Sequence, residues 1–461
     1  MGRHCVLTPD ESGRILDHLA GLEKIITPDL MWQALAETNR FNKRACKLTH
    51  AVMLWVVLAM GILTDLPIRQ VFKRARRLRS GEKSPHRSSL CVARQRLGVE
   101  PVQCLFHKVV RPLASPDTPG AFYRELRLMA IDGTVMDVPD TPENAEAFGR
   151  PSGGKRGDGA FPQARKLSLV EVGTHVERAF QAGPCTVSEQ AMFPGLLPYM
   201  TSDMLLLVDR GFFSYALWEM LNSRKIKVLA RVKAGLILQS IQRLGDGSYL
   251  AKIYPSSYDR QKDRKGIVVR VIRYKLDDPQ RVGNNEEHVL MTNLLDAETF
   301  PAHELICNYH ERWEHELVYD EQKTHQDPRR ATKPAHLRSE TPSGVIQELY
   351  ALSLGHFVTR ALMFEAAGRE GLDPDQLSFT GCFQILKCRL PECDARTPQS
   401  FQEWCDALLW ELSQERTEPR RNRINPRVIK RKMSKWLKKR PQHRHPPPLT
   451  KTFAQSVVML N

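Results

Sequence analysis

The sequence lacks paired-cysteine motifs, long apolar runs and enough acidic residues to balance its basic ones. Its ten cysteines are scattered without a Cys-x-x-Cys pair, so neither a zinc ribbon nor a disulfide framework is expected. The most apolar run, Ala51 to Leu63, spans thirteen residues, whereas a membrane-spanning helix needs about twenty. The first residues also lack a signal-peptide pattern. We therefore expect a protein of the reducing cytoplasm.

The chain has the size and apolar content of a globular protein with a strong positive charge. Its 461 residues, 41% of them hydrophobic, suffice for two or three domains with a substantial core. Lys and Arg number 68 against 52 Asp and Glu, which gives a net charge of +16. Because such a surface attracts polyanions through phosphate neutralisation, nucleic acid is the first expected partner.

Hydrophobic periodicity predicts an α/β protein with three domains. Residues 1–124 show a helical pattern, with a helix from Pro9 to Leu22 and a buried helix over the run from Ala51 to Leu63, and so indicate a small all-α domain. Residues 125–369 form the predicted α/β domain, and residues 370–461 form a helical region that ends in a basic tail. The middle domain alternates predicted strands and helices, in an order typical of a mixed sheet. A β-rich insertion is expected at about residues 233–300.

Two basic features of the outer regions could bind DNA. The segment from Arg87 to Leu97 has an N-capping Ser and would display Arg94 and Arg96 as a recognition helix does, although a generic surface helix fits equally well. The stretch from Lys73 to Arg79 just upstream could follow a phosphate backbone or simply be solvated.

The C-terminal region is the most basic part of the chain. Between Arg416 and Lys451 there are fourteen Lys or Arg residues, one Glu and one Trp, Trp436. A run of this kind is usually a solvated tail, but on an already cationic chain it could equally contact phosphates.

Four residues near the middle of the chain share one predicted helical face. At about 100° per residue, Arg312, Glu316 and Lys323 fall at about −60°, −20° and −40° from Tyr309. The nearby acids Glu311 and Glu314 fall at about 200° and 140°, away from this stripe. A lone carboxylate among cations suits an enzyme that acts on phosphates, while ordinary ion pairs on a solvated helix are the alternative.

Two aspartates follow apolar strands and could join Glu316 in a metal site. Asp132 follows the run from Leu128 to Ile131, and Asp209 closes the run from Met204 to Val208. Either one alone could cap a loop, but such strand ends often face a functional crevice. Three gathered carboxylates would repel one another without a cation, and Mg²⁺ prefers these hard oxygen ligands.

Together these segments resemble the DDE transposases of bacterial insertion sequences, and more narrowly the insertion-sequence-four family. The similarity is carried by Asp132-Gly-Thr134, Leu205-Leu-Leu-Val-Asp209-Arg-Gly-Phe212 and Tyr309-His-Glu-Arg312-Trp-Glu-His-Glu316, followed by Lys323. The family signature is Tyr-x2-Arg-x3-Glu-x6-Lys, and this chain meets every position of it. The likeness runs over most of the chain, through Leu337-Arg-Ser-Glu-Thr-Pro-Ser-Gly-Val345.

The resemblance implies a ribonuclease-H-like core, with the first Asp on the first strand, the second on the fourth, and the Glu on a helix after a β-rich insertion. In such a site Asp132, Asp209 and Glu316 would bind two Mg²⁺ ions, for which Mn²⁺ is expected to substitute. The implied DNA contacts, near the cleaved end of the element, come from Tyr309, Arg312 and Lys323, with Arg210 and Trp313 as weaker candidates.

The implied reaction is metal-dependent hydrolysis at the ends of the element, followed by attack of the freed 3′-hydroxyl on target DNA. The expected partners are double-stranded DNA, as terminal inverted repeats and target, and a second copy of the chain in a synaptic dimer at the bacterial nucleoid. A hairpin route of excision is possible within the family. Two rivals remain: a non-catalytic or decayed DNA-binding regulator, and a structure-specific nuclease of the same fold.

Overall fold

A computed structural model of the chain describes residues 17–42, 46–76, 83–152, 157–233, 235–279, 281, 284–328, 337–417, 428–429, 437–438 and 451–460. The α-helices are α1 (Pro28–Glu37), α2 (His50–Ile62), α3 (Ile68–Ala75), α4 (Arg87–Leu97), α5 (Glu100–Val109), α6 (Pro142–Phe148), α7 (Glu189–Met192), α8 (Tyr215–Ser223), α9 (Ser257–Gln261), α10 (Ala302–His310), α11 (Glu314–Asp320), α12 (Pro342–Arg369), α13 (Phe379–Arg389), α14 (Pro398–Gln414) and α15 (Phe453–Ser456).

The strands are β1 (Phe122–Tyr123), β2 (Leu126–Asp137), β3 (Gln163–Glu171), β4 (Val176–Pro184), β5 (Met204–Val208), β6 (Lys227–Val232), β7 (Gln242–Arg243), β8 (Tyr249–Ile253), β9 (Ile267–Leu276), β10 (Glu287–Thr292), β11 (Val428–Ile429), β12 (Leu437–Lys438) and β13 (Val457–Met459). Among the described residues, no helix is both long enough and apolar enough to cross a membrane.

The chain divides into two compact units whose segments alternate along the sequence. The first unit consists of Met1–Thr118, Asp132–Tyr199 and Glu314–Thr417, and the second of Pro119–Ile131, Met200–Trp313 and Glu418–Asn461. These units follow spatial compactness, whereas the predicted domains follow the sequence, so the domain boundaries near residues 124 and 369 stay a prediction.

The helices of the first unit pack around two buried helices. In α2 all twelve residues from Ala51 to Ile62 are buried, which confirms the prediction of a buried helix rather than a membrane span. Thr49 caps its start by accepting a hydrogen bond from the amide of Val52. The 28-residue α12 is likewise buried over most of its length.

One glycine sets the spacing between these two helices. A Cβ at Gly61 would overlap the backbone carbonyl of Ala351 in α12, so only glycine allows this close approach.

In the first unit the strand order of the sheet is β4-β3-β2. Only the second half of β2, from Asp132 onward, belongs to this unit. Strands β3 and β4 form an antiparallel hairpin whose register ends at the pair Glu171 and Val176. The alternating segments Leu167–Val172 and His175–Gln181 predict this hairpin around Gly173 and Thr174, and both residues lie in the turn.

The sheet of the second unit has the order β2-β5-β6-β10-β9-β8-β7. The first half of β2 runs parallel to β5, and β5 runs parallel to β6, whereas β10 is antiparallel to β6. Every residue of β5 is buried, as expected for a parallel strand covered on both faces. The fold class is therefore α/β with a mixed sheet and a ribonuclease-H-like core, as predicted.

The β-rich insertion is also confirmed, since β7 to β10 lie between Gln242 and Thr292 with the short helix α9 among them. The C-terminal strand β13 pairs with β9, with Val458 opposite Lys275.

Some predicted features differ or lie outside the described residues. Of the helix predicted from Pro9 to Leu22, residues 9–16 lie outside, and Asp17–Lys24 forms a 3₁₀ helix. Residues 77–79 of the basic stretch lie outside as well, and so do Trp436 and most of the C-terminal basic run.

Candidate active site

The segment that carries the Tyr, Arg, Glu and Lys signature changes its helical geometry three times. It begins as α10, continues as a 3₁₀ helix over Glu311–Trp313, returns to α-helix in α11, and ends as a π-helix over Glu321–Gln326. A continuous α-helix with one narrow stripe is therefore wrong for this segment, because 3₁₀ and π turns rotate by different angles per residue. The boundary between the two units falls inside it, between Trp313 and Glu314.

Asp132 lies in the middle of β2 with a half-buried side chain. Its Oδ1 accepts a hydrogen bond from the amide of Gly133 at 2.8 Å, and its backbone carbonyl accepts one from the hydroxyl of Tyr319 at 2.6 Å. Tyr319 belongs to α11, so the helix that carries Glu316 is bonded directly to the backbone of Asp132.

The residue after Asp132 is under a close steric constraint. A Cβ at Gly133 would overlap the carboxylate of Glu189. That carboxylate is held in place by Arg165, whose Nη1 lies 2.8 Å from Glu189 Oε1. The glycine of the Asp-Gly pair thus lies closely packed against this carboxylate.

Asp209 follows the buried strand β5 and begins a short 3₁₀ helix over Arg210–Phe212. Its side chain makes no capping hydrogen bond to that helix, which argues against the loop-capping alternative. In the register of β2 and β5, Ile131 is opposite Val208. Asp132 is therefore the next residue after Ile131, and Asp209 is the next residue after Val208. Asp209 follows β5, the fourth strand counted from β2. Arg210 is exposed.

Glu316 lies in the first turn of α11 with an exposed side chain. Its neighbour Glu314 is directed elsewhere, since its carboxylate contacts the buried imidazole of His175 at 2.9 Å. Of these two acids, only Glu316 is open to solvent, so it remains the candidate ligand.

Tyr309 and Arg312 are buried rather than displayed. Tyr309 donates a hydrogen bond to the carbonyl of Val208 at 3.2 Å, and burial raises the pKa of its hydroxyl. Arg312 is 5% exposed, and its guanidinium carbon lies 6.0 Å from the centroid of the Tyr309 ring. Both residues thus pack at the end of β5, next to Asp209. The side chain of Trp313 lies outside what the structure describes.

Lys323 is bonded to the strand that carries Asp132. Its Nζ donates to the hydroxyl of Thr134 at 3.1 Å and to the carbonyl of Val135 at 2.9 Å. Burial lowers the pKa of its ammonium group. The structure therefore brings Lys323 and Tyr319, which both follow Glu316 in the signature segment, into contact with β2 in the first unit.

The predicted recognition helix is present as α4, but one of its arginines is not displayed. The Nε of Arg94 donates to Gln347 at 2.8 Å and Nη2 donates to the carbonyl of Gly344 at 2.6 Å, and burial lowers its pKa to about 10. Its guanidinium is thus bonded to α12, and the DNA contact of Arg94 stays a prediction. The helix cap is His86, not a serine.

Arg96, by contrast, is exposed. It lines a cavity of about 480 Å³ together with Lys47, His50, Ser88 and Ser89. This surface of the first unit carries basic and hydroxyl groups of the kind that contact phosphates.

Two residues that hold Asp132 were missed by sequence reasoning. Tyr319 follows Glu316 by three residues, a spacing that places both on one side of a helix, so the signal was available. Glu189 has no comparable signal, because its contact with Gly133 depends on the fold.

Comparison with known proteins gives consistent results. The sequence model of the insertion element 4 transposase N-terminal region matches residues 16–107, and that of the transposase DDE domain matches residues 123–341. The chain is 29% identical, over 91% of its length and 93% of the relative's, to the transposase InsG for insertion sequence element IS4 of Escherichia coli (strain K12).

Two further similarities are weaker. The putative transposase InsZ of the same organism is 27% identical over 39% of this chain and 60% of its own length. A cryo-EM structure of the piggyBac transposase synaptic complex with hairpin DNA covers 87% of this chain and 86% of that chain, with a TM-score of 0.44 and 12% identity.

Proposed function

Because the chain belongs to the insertion-sequence-four family of DDE transposases, it is a DNA transposase, and we propose that Asp132, Asp209 and Glu316 are its catalytic acids. The observation that carries this proposal is a pair of tyrosine hydrogen bonds from the signature segment. Tyr319 donates to the carbonyl of Asp132 in the first unit, and Tyr309 donates to the carbonyl of Val208, beside Asp209, in the second. The segment that carries Glu316 is thus hydrogen-bonded to the carbonyl of Asp132 and to the carbonyl of the residue before Asp209.

As a DDE transposase the enzyme depends on divalent metal ions, and we propose Mg²⁺, with Mn²⁺ as a substitute. The donor set fits: three carboxylates supply hard oxygen ligands, one half-buried within β2, one half-buried after the end of β5 and one exposed on α11. When bound, such ions activate a water or hydroxyl for attack and stabilise the leaving oxygen.

The chain's own residues then supply geometry and charge. Tyr319, together with the fixed backbone of Gly133, holds the Asp132 carboxylate in one place. Lys323, attached to β2, and the exposed Arg210 offer cations to the phosphates of the DNA end. Tyr309 and Arg312 support the strand end before Asp209, which we propose as their main role instead of direct DNA contact.

The proposed reaction has two displacements at phosphorus. Water forms a new O–P bond at the end of the element and the 3′-oxygen leaves, which frees a 3′-hydroxyl. That hydroxyl then forms an O–P bond to target DNA and displaces a target 3′-oxygen. We propose that the DNA partners are the terminal inverted repeats and the target, and that two copies of the chain act together at the nucleoid.

The test is Glu316→Gln, which removes one charge from the proposed site and keeps the size of the side chain. Cleavage and strand transfer with Mg²⁺, measured on a DNA fragment bearing the native element ends, should be abolished, while affinity for the ends changes little. Because Glu316 is exposed, the variant should fold normally. The matched control is Glu311→Gln, the same change on the 3₁₀ part of the segment, which should stay active.

Normal cleavage by Glu316→Gln would overturn the site assignment. Specific binding without any metal-dependent cutting by the unaltered protein would instead indicate a DNA-binding regulator. Cutting without joining to target DNA would indicate a nuclease of the same fold.

A further inference from the structure

A buried histidine lies at the turn between β3 and β4, outside the acidic triad. His175 is fully buried in the first unit. Its Nε2 lies 2.9 Å from a carboxylate oxygen of Glu314, and its Nδ1 lies 3.2 Å from one of Glu321. One imidazole therefore contacts two carboxylates of the signature segment.

These two carboxylates bracket the catalytic glutamate in the sequence. Glu314 precedes Glu316 by two residues, and Glu321 follows it by five at the start of the π-helix. The junction between α-helix and π-helix lies between the two contacts. His175 thus spans the stretch whose backbone geometry decides where Glu316 points.

The imidazole is attached to a rigid support. His175 has a left-handed backbone, with φ of 58°. The adjacent Thr174 donates its hydroxyl to the buried Glu171, and Glu171 in turn accepts the amides of Leu113 and Ala114 at 3.0 and 3.1 Å. The turn that carries His175 is therefore held by hydrogen bonds to the backbone of residues 113 and 114.

The other side of the cluster is supplied by α12. Glu321 accepts a hydrogen bond from Arg360 Nε at 3.0 Å and contacts His356 Nε2 at 2.8 Å. Arg360 also contacts His175 Nδ1, and Asp375 lies 3.6 Å from His175 Nε2. The π-helix is thus fixed between the hairpin turn and the longest helix of the unit.

The charged groups around His175 act on its imidazole in opposite directions. Burial and Arg360 oppose protonation, but the carboxylates of Asp375, Glu321 and Glu314 outweigh them and raise the pKa of His175. Burial likewise opposes ionisation of Glu321, and its cationic neighbours Arg360 and His175 hold its pKa well below the usual range.

We propose that His175 is a positioning residue that holds Glu316 in its catalytic geometry by bonding the segment on both sides of it. This inference rests on the proposed role of Glu316. A displacement of about 1 Å of a catalytic group can cost about a hundredfold in rate, so a helix turn that is not fixed would lower the rate without removing any ligand.

A metal ion is the competing explanation for this cluster. The ligand atoms of His175, Glu314 and Asp375 all lie within 4.8 Å of one another. Arg360, however, already places a cation on the same imidazole and on Glu321. Direct hydrogen bonds therefore account for the contacts, and the experiment below separates the two explanations.

The test compares His175→Ala and His175→Asn with the unaltered transposase. We expect the cleavage rate of His175→Ala to fall by about tenfold or more and the half-saturating Mg²⁺ concentration to rise several-fold, because Glu316 is less well placed. Affinity for element ends should stay within about twofold. His175→Asn should recover part of the rate, since Asn tolerates a left-handed backbone and keeps one donor.

The matched control is His107→Ala, measured at a temperature at which all variants are folded by circular dichroism. His107 is a half-buried residue of the same unit, and its ring stacks on that of Tyr199 with centroids 5.0 Å apart. Its loss should lower the melting temperature without changing the Mg²⁺ response. If His175→Ala does not fold, Glu314→Gln tests the same contact and should raise the half-saturating Mg²⁺ concentration in the same direction.

Three results would overturn the proposal: an unchanged rate and Mg²⁺ response in the His175 variants, an equal change in His107→Ala, or one tightly bound transition-metal ion that is lost in His175→Ala but kept in Glu316→Gln. Failure of the proposed function gives a different result, because the unaltered protein would then show no Mg²⁺-dependent cleavage to compare.

Discussion

At the scale of single residues, the geometry of the site depends on neighbours outside the acidic triad. Asp132 is fixed by a tyrosine hydroxyl on its carbonyl and by the amide of the following glycine. That glycine lies against Glu189, whose carboxylate is paired with Arg165. A change that leaves all three proposed catalytic acids intact should therefore still disturb the site.

The corresponding prediction concerns Gly133→Ala. The added methyl group would overlap the Glu189 carboxylate, so either Glu189 or the backbone beside Asp132 must move. We expect cleavage to fall by about tenfold to a hundredfold, since small displacements at a catalytic group are costly. End-binding affinity should change little, and initial cleavage rates with Mg²⁺ provide the measurement.

The double variant Gly133→Ala with Glu189→Ala serves as its control. Removal of the Glu189 carboxylate makes room for the methyl group, so part of the lost rate should return. No recovery, together with full activity of Glu189→Ala alone, would show that the overlap is not what limits Gly133→Ala.

At the scale of secondary structure, the sequence predicted most elements but not their internal geometry. Apolar runs and caps predicted α2, β5 and the β3–β4 hairpin, because burial and turn chemistry are local in sequence. Helix α5 was not predicted, although Pro101 in its first turn is a typical start signal.

The signature segment shows the limit of such reasoning. Its position after a β-rich insertion was predicted, but the single continuous helix was wrong, because 3₁₀ and π turns interrupt it. The π-helix is stabilised by buried partners of Glu321 that are distant in sequence, including His175 and Arg360. For the same reason the burial of Arg94 under α12 could not be read from α4 alone.

The contact between α2 and α12 gives a prediction for Gly61→Ala. The new methyl group would meet a backbone carbonyl, which cannot rotate away, so the two helices would have to separate. Such overpacking typically costs about 1–3 kcal/mol and can cost more against backbone. The midpoint of urea denaturation should fall accordingly.

The matched control is Gly368→Ala, near the end of α12. A Cβ there has no atom within 4 Å, and replacing a helical glycine by alanine typically gains about 0.5–1 kcal/mol. Equal stability of the two variants would mean that α2 and α12 do not pack as closely as described.

At the scale of the whole molecule, the excess of positive charge is uneven along the chain. The run from Arg416 to Lys451 contains fourteen of the 68 basic residues. Described residues near both ends of this run contact the rest of the chain. Before it, the amide of Thr417 donates to the carbonyl of Gln376 at 2.7 Å. After it, β13 pairs with β9, and Phe453 stacks on His310 with centroids 3.8 Å apart.

One basic residue of the run is already paired with an acid. Lys451 Nζ lies 3.0 Å from a carboxylate oxygen of Asp277. The other basic residues of the run allow a test of DNA binding by charge.

We predict that the triple variant Lys430→Gln, Arg431→Gln and Lys432→Gln binds non-specific DNA more weakly and with a smaller salt dependence. Each phosphate contact contributes about 0.9 to the slope of log affinity against log salt, so the slope should fall by about one to three. The control neutralises three exposed basic residues of the insertion, Lys262, Arg264 and Lys265, with the same change in net charge. Equal slopes for the two variants would show that only total charge matters, whereas a selective effect assigns the run to the path of the DNA.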